Sequence, residues 1–153
     1  MEWLADLRGK VIGLDTMPLI YFIEESPAYL ETVRPFFEAI DRVEFSAVTS
    51  VVTLLEVLVH PFRHGDETLA EHYRDILLNS DGLNTVLLSQ AIAEKAAQLR
   101  AAFNLRTPDA IQLATALHEG ASFFLTNDTR LPSVPGLTIL VLDALKAGSH
   151  SPG

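Results

Sequence analysis

The chain has 153 residues, of which 48% are hydrophobic, and its 20 acidic and 11 basic residues give a formal net charge of −9. This length and apolar content exclude a disordered chain, and the absence of cysteine excludes disulfide scaffolds and thiolate metal sites. The negative charge argues against a simple nucleic-acid-binding module, and no apolar stretch approaches the ~20 residues of a membrane span.

Five short apolar runs, rich in β-branched or aromatic residues, have the length of β-strands. They are residues 11–14, 43–48, 85–88, 122–125 and 138–142. Segments with helical spacing lie between them, which predicts an α/β sandwich with a mostly parallel sheet. In such sheets ligands bind beyond the carboxyl ends of the strands, so polar residues that directly follow a strand are the first candidates for a site.

Asp15 directly follows the first predicted strand, residues 11–14, and therefore lies where ligand sites form. Asp15 or Thr16 could equally serve as the N-cap of a helix that begins near Met17 and Pro18. The sequence leaves both roles open.

The segment 51–60 is predicted to form a helix that begins after Thr49 or Ser50 and ends at Pro61. Its sequence is apolar nearly all round, so the helix is expected to be buried. An ionised carboxylate on a buried helix is costly unless it is paired or bound to a metal, and this helix carries Glu56.

Polar residues recur every three or four positions along this segment and therefore share one stripe. They are Thr49, Thr53, Glu56 and His60. The stripe either faces water or lines a small polar cavity, and the second interpretation gives Glu56 a function.

Two later helices have recognisable starts. Ser89 is the predicted N-cap of a helix over residues 90–103. Thr107 is the predicted N-cap of a helix over residues 109–118, with Pro108 at its first helical position.

Two further acids lie at element ends. Asp109 is in the first turn of its helix, where the helix dipole alone explains a carboxylate, although the side chain could also project into a crevice. Asp128 follows the predicted strand 122–125, and Asn127 beside it makes an ordinary turn equally possible.

The four acids taken together indicate more than each does alone. If they converge at one end of one sheet, their carboxylate oxygens form a ligand set suited to Mg²⁺ or Mn²⁺. Such ions promote phosphodiester hydrolysis and reverse the local field that would repel nucleic acid. Crowding is expected to raise the pKa values of all four carboxyl groups until cations bind.

Four segments between residues 10 and 142 carry a family resemblance. They are Val-Ile-Gly-Leu-Asp15-Thr16, Leu-Leu-Glu56-Val, Thr-Pro-Asp109-Ala-Ile-Gln-Leu-Ala-Thr-Ala and Leu-Thr126-Asn127-Asp128-Thr-Arg130-Leu. In this order and spacing the chain resembles the PIN-domain family, and within it the VapC-type toxins of toxin–antitoxin pairs.

The resemblance implies a three-layer α/β/α sandwich around a mostly parallel five-stranded sheet, and metal-dependent endoribonuclease activity with Mg²⁺ or Mn²⁺. It further implies a cognate antitoxin protein and a homodimer. The absence of cysteine is compatible with the cytoplasmic location that we expect, and the lack of a long apolar stretch predicts no membrane contact. By position, the catalytic and metal-binding residues would be Asp15, Glu56, Asp109 and Asp128, supported by the hydroxyl groups of Thr16 and Thr126.

Three further expectations concern two arginines, the domain and the C-terminus. Arg106 and Arg130 are near the proposed site in sequence and are candidate contacts to a substrate phosphate. Residues 1–145 are expected to form a single nuclease domain, and residues 146–153, which are small and polar, a flexible tail.

Two other functions remain open at this point. One is a catalytically inactive or regulatory PIN-like domain that acts through protein contacts. The other is a different hydrolase or phosphatase with Asp15 as nucleophile, a class that usually needs a second Asp two residues later, where this chain has Met17.

Overall fold

The computed structural model describes residues 2–149, and within this range the chain forms five strands and eight helices. In chain order they are α1 (Glu2–Ala5), β1 (Val11–Leu14), α2 (Thr16–Ile23), α3 (Leu30–Asp41), β2 (Ser46–Ser50), α4 (Val51–His64), α5 (Glu67–Leu78), β3 (Leu83–Val86), α6 (Gln90–Phe103), α7 (Thr107–His118), β4 (Phe123–Thr126), β5 (Thr138–Val141) and α8 (Leu142–Ser149). No helix in this range is both long and apolar enough to cross a membrane.

The five strands form one sheet in the order β3-β2-β1-β4-β5, and all four pairings are parallel. The predicted mostly parallel sheet is therefore confirmed. The chain adds β2 and β3 on one side of β1 and then β4 and β5 on the other. The strand order reverses between β1 and β4, and this switch point is where open α/β sheets bind ligands.

Alternating side chains along the strands fill two cores, one on each face of the sheet. Ile12 and Leu14 of β1 pack with residues of α2, α3 and α5. Phe124 of β4 packs on the opposite face with residues of α6 and α7. The sheet is thus covered by helices on both faces, which confirms the predicted three-layer α/β/α sandwich.

The second predicted strand begins three residues later than expected, at Ser46 instead of residue 43. Val43 has a positive φ of 55° and is 62% exposed. Its N–H donates to the carbonyl oxygen of Ile40 at 2.9 Å, so Val43 closes the C-terminus of α3. Helices commonly end with a residue in this left-handed conformation, although a β-branched one is unusual there.

The third strand is β3 (Leu83–Val86), not residues 85–88. Its pairing with β2 ends where Val86 lies opposite Ser50, because α4 begins after Ser50 and offers no further strand partner. Leu87 and Leu88 therefore lie in an exposed loop.

The helix predicted to end at Pro61 continues to His64. Proline removes one helical hydrogen bond, but the last turn is closed by Gly65, a left-handed C-cap with φ of 63°. The helix is also less buried than its composition suggested, because Leu55 and Phe62 are 65% and 56% exposed.

The helix starts agree in part with the sequence. The helix α6 begins as predicted, with the Ser89 hydroxyl accepting from the N–H of Ile92 at 3.2 Å. The start of α7 was predicted wrongly, since Arg106 is the N-cap and Thr107 is already helical. Proline fits anywhere in a first turn, where its missing N–H would have no partner, so Pro108 does not fix the N-cap.

The C-terminal part of the described chain is the helix α8 (Leu142–Ser149). The predicted tail, residues 146–153, therefore begins inside a helix. Residues 150–153 lie outside the described residues.

Candidate active site

A cavity of about 490 Å³ lies at the carboxyl ends of β1 and β4. All four predicted acids line it, together with both predicted arginines. The polar and aromatic lining residues are Asp15, Thr16, Tyr21, Glu56, Arg106, Asp109, Gln112, Asn127, Asp128 and Arg130. The sheet topology therefore brings together side chains that lie as far apart in the sequence as Asp15 and Arg130.

Asp15 is held through both of its carboxylate oxygens. Oδ1 accepts from the backbone N–H of Thr16 at 2.8 Å, and Oδ2 accepts from the hydroxyl of Thr126 at 2.7 Å. The Asp15 N–H donates to the Leu125 carbonyl oxygen at 3.0 Å, which ties the end of β1 to β4. Asp15 is the N-cap of α2 and also lines the cavity, so the two roles left open by the sequence are compatible.

Burial raises the pKa of the Asp15 carboxyl above its usual value. The hydrogen bonds from Thr126 and from the Thr16 N–H lower the pKa, while the charges of Asp109 and Glu56 raise it further. The expected direction of the shift is therefore present at Asp15, but removal from water contributes more than crowding.

The same expectation is wrong for Asp128. Arg130 donates from Nε to Oδ1 at 3.0 Å and from a terminal nitrogen to Oδ2 at 3.3 Å. These hydrogen bonds are the largest cause of a pKa below the usual value for the Asp128 carboxyl. Asp128 is also oriented by its own backbone N–H, which donates to the Thr126 hydroxyl at 3.0 Å.

Asp109 lies in the first turn of α7 and also pairs with an arginine. Arg106 Nε lies 3.0 Å from Asp109 Oδ2. The side chains of Arg106 and Arg130 are 70% and 78% exposed. Because both guanidinium groups face solvent while their aspartate partners are 16% and 21% exposed, each arginine can leave its carboxylate without itself having to leave the interior.

Glu56 enters the site from α4, and its environment differs from the prediction. The residue is exposed, so the argument from a buried carboxylate does not apply to it. Its Oε1 accepts from the Thr16 hydroxyl at 3.0 Å, which directs the carboxylate toward Asp15. The polar stripe of α4 runs from Thr53, which is buried, to His60, which is exposed.

Three of the polar and aromatic lining residues were not predicted as part of the site. Gln112 is 3% exposed and lies one turn after Asp109 on α7. Asn127 donates to the hydroxyl of Tyr21, the third of these residues, at 3.2 Å. The sequence signal available was a single amide in the apolar stretch of α7, and a polar residue directly after β4.

The carboxylates match a hard divalent cation in type but not yet in placement. Within residues 2–149, no three His, Cys, Asp or Glu side chains are arranged closely enough to hold a metal ion. Asp109 and Asp128 are turned toward their arginines, and Glu56 lies at the edge of the cavity. An all-oxygen donor set around a partly buried Asp15 nevertheless fits Mg²⁺ or Mn²⁺, provided that the exposed arginine pairs open.

Comparison with known proteins supports the fold and the family. The sequence model of the PIN domain matches residues 12–137. The chain belongs to the PIN-domain family. A comparison with curated protein sequences gave no match.

Solved structures similar to this PIN domain include three from bacteria. A toxin–antitoxin complex from Klebsiella pneumoniae is 26% identical, with 84% of this chain and 95% of that chain covered and a TM-score of 0.64. VapBC2 from Rickettsia felis, bound to a promoter DNA fragment, is 18% identical, with coverages of 86% and 98% and a TM-score of 0.67. VapC20 from Mycobacterium tuberculosis, described as a toxin that cleaves the sarcin-ricin loop, is 16% identical, with coverages of 74% and 86% and a TM-score of 0.61.

Proposed function

We propose that this PIN-domain protein is a metal-dependent endoribonuclease that acts as the toxin of a toxin–antitoxin pair. The observation that carries the proposal is the meeting of four carboxylates, from the ends of β1 and β4, from α4 and from the start of α7, in one cavity at the switch point of the sheet. The similarity to a toxin–antitoxin complex, and to a toxin described as cleaving the sarcin-ricin loop, supports the same function.

The proposed ligands of Mg²⁺ or Mn²⁺ are Asp15, Glu56, Asp109 and Asp128. When bound, such ions supply a water of lowered pKa and stabilise charge on the leaving oxygen during phosphodiester hydrolysis. The Thr126 hydroxyl and the Thr16 N–H hold the two oxygens of Asp15 in a fixed orientation, which is how outer contacts tune metal ligands.

Arg106 and Arg130 are the proposed contacts to substrate phosphate. Each guanidinium now pairs with an aspartate at the mouth of the cavity. If Asp109 and Asp128 bind cations, the arginines lose these partners and can bind a phosphate in the same place through two parallel hydrogen bonds. Cations and arginines together would offset, at the cavity, the repulsion between RNA and a chain of net charge −9.

Cleavage of a mixture of structured RNAs by the purified chain tests this function. We expect cleavage with Mn²⁺ or Mg²⁺ and none with EDTA. The variant Asp109→Asn should lose more than about 100-fold in rate, because even residues that only orient metal ligands contribute 10–100-fold. The matched control is Asp66→Asn, which changes an exposed helix-capping aspartate outside the cavity.

Two results would contradict the proposal. Cleavage that persists in EDTA or in Asp109→Asn would mean that another site or a contaminating nuclease is responsible. Absence of both cleavage and Mn²⁺ binding in the folded protein would favour a PIN-like domain that acts through protein contacts.

A basic antitoxin is the proposed partner, because the chain is acidic. Burial also raises the pKa of the Asp15 carboxyl, so a positive charge beside it would stabilise its ionised form. We expect a basic side chain of the antitoxin to reach Asp15 or Asp128. Titrating the purified partner into the cleavage assay should suppress activity at a fixed stoichiometry, and unchanged activity with a complex formed would contradict the proposal. The active species is proposed to be a homodimer in the cytoplasm. Light scattering of the isolated chain measures its molar mass and so tests the dimer.

A further inference from the structure

We propose that Gln112 is a positioning residue whose amide fixes the start of α4, and thereby Glu56, against α7, the helix that carries Asp109. The inference rests on the proposed metal-dependent activity and assigns a role to a residue that neither binds the metal nor contacts the substrate.

The contacts of Gln112 fix the orientation of its amide. The backbone N–H of Ser50 can only donate, and it lies 3.2 Å from Gln112 Oε1. The amide nitrogen must therefore face Thr53, whose Oγ1 lies 2.6 Å from Gln112 Nε2. One side chain of α7 thus holds both the N-cap residue of α4 and a residue in its first turn.

The hydroxyl groups of Thr53 and Thr49 extend the contact of Gln112 into a chain of hydrogen bonds. Thr49 donates to the carbonyl oxygen of Leu14 at 2.8 Å, so its oxygen is free to accept from the Thr53 hydroxyl at 2.7 Å. Thr53 in turn accepts from Gln112. The chain therefore runs from α7 through α4 and the end of β2 to the last residue of β1, directly before Asp15.

Burial makes these contacts specific. Gln112, Thr53 and Thr49 are 3%, 0% and 1% exposed, and a buried polar group without a partner costs about 1–3 kcal/mol. Any shift of α4 relative to α7 that breaks these contacts is therefore unfavourable. Thr115, the next buried polar residue on α7, donates to Ile111 of its own helix at 2.7 Å and makes no comparable link.

The linked turns are those next to the acids. Asp109 lies three residues before Gln112 on α7, and Glu56 lies three residues after Thr53 on α4, so each acid is one turn away from the link. The Thr16 hydroxyl, which donates to Glu56, lies 3.4 Å from the Thr53 oxygen. Gln112 therefore sets the separation between two carboxylates on different helices.

The test compares Gln112→Leu, which keeps the volume but removes the amide, with Thr115→Val, a control on the same buried face. Mn²⁺ affinity is measured by calorimetry, and hydrogen exchange is followed at the amide of Ser50 in the metal-free protein. We expect Gln112→Leu to bind Mn²⁺ about 10–100-fold more weakly and to exchange Ser50 faster. Thr115→Val should leave both quantities as in the wild type, even if its melting temperature falls.

A second pair of variants tests the link from α4. Thr53→Val removes the hydroxyl at constant shape and should reproduce the loss of Mn²⁺ affinity, whereas Thr53→Ser, which keeps the hydroxyl, should recover most of it. This pair also decides the question if Gln112→Leu does not fold.

The outcomes separate this inference from the proposed function. Wild-type Mn²⁺ affinity in both Gln112→Leu and Thr53→Val would overturn the positioning role while leaving the nuclease intact. A wild-type protein that binds no Mn²⁺ would overturn the proposed function, and with it the role of Gln112 toward the metal.

Discussion

Replacing Asp15 by asparagine should lower RNA cleavage by more than about 100-fold and yet raise the melting temperature of the metal-free protein at neutral pH. Asparagine caps a helix as well as aspartate does, and its oxygen can still accept from the Thr16 N–H. Its amide nitrogen then faces Thr126, so the Thr126 hydroxyl accepts from residue 15 where it donated to the aspartate. It removes a negative charge that burial and the nearby Asp109 and Glu56 disfavour. Activity and stability should therefore move in opposite directions.

The pH dependence of this gain follows from the raised pKa of the Asp15 carboxyl. Between the unfolded value, 3.8, and the higher folded value, the folded protein binds more protons than the unfolded chain, so stability falls as pH rises. Above the folded pKa the penalty is complete and constant. The stabilisation by Asp15→Asn should thus increase as pH rises from 3.8 through the folded pKa, and it should vanish below pH 3.8, where both folded and unfolded wild type are protonated at this position.

Metal binding should reverse the order of the melting temperatures of the wild type and Asp15→Asn. A ligand that binds only the folded state at 100 times its dissociation constant stabilises by about 2.7 kcal/mol. Mn²⁺ should therefore raise the melting temperature of the wild type well above that of Asp15→Asn, which lacks one proposed ligand. Thermal unfolding at pH 3 and pH 7, with and without Mn²⁺, measures both effects.

Asp66→Asn is the control, because Asp66 is also a helix N-cap, with its carboxylate accepting from Leu69 at 3.1 Å, but is exposed and away from the cavity. This variant should cleave RNA as the wild type does. If Asp15→Asn melts below the wild type in metal-free buffer at neutral pH, burial does not disfavour the Asp15 charge as inferred here.

Local chemistry explains what the sequence predicted well. Asp15 and Asp128 follow strands, and parallel strands end at one edge of the sheet. The alternation of strands and helices in the sequence was therefore enough to predict that these two residues lie close together. The N-cap Ser89 depends on contacts within four residues and was also predictable.

Long-range packing explains what the sequence did not predict. The apolar composition of α4 indicated a buried helix, but burial depends on what packs against it, and Leu55 and Glu56 remain exposed. The contact between Gln112 and Ser50 joins residues 62 positions apart and has no local signal. The pair Arg106–Asp109 is an ordinary contact at i and i+3, so the spacing alone could have revealed that this arginine already has a partner.

Gly13→Ala should be the most destabilising of the small substitutions near the site. A Cβ at Gly13 would lie 2.6 Å from the Ala116 Cβ and 2.7 Å from a ring carbon of Phe124. Ala116 has no rotamer that could relieve the contact, so α7 must move away from β1. Overpacking of this kind costs about 3 kcal/mol at the upper end of the usual range. For a chain of this size that corresponds to a fall of roughly 6–12 °C in melting temperature.

The double variant Gly13→Ala with Ala116→Gly shows whether the approach of α7 to β1 also sets the site. Ala116→Gly alone should cost about 1 kcal/mol through the loss of helix propensity. Because it removes the atom that the new Cβ would strike, the double variant should be at least 1 kcal/mol more stable than the sum of the single effects, within the ~0.5–3 kcal/mol range of coupled neighbours. Gly13→Ala should also weaken Mn²⁺ binding, since moving α7 takes Asp109 away from Asp15, and Ala116→Gly should restore it. Strict additivity in denaturant unfolding would mean that Phe124 causes the clash and that the spacing between α7 and β1 is not set by Gly13.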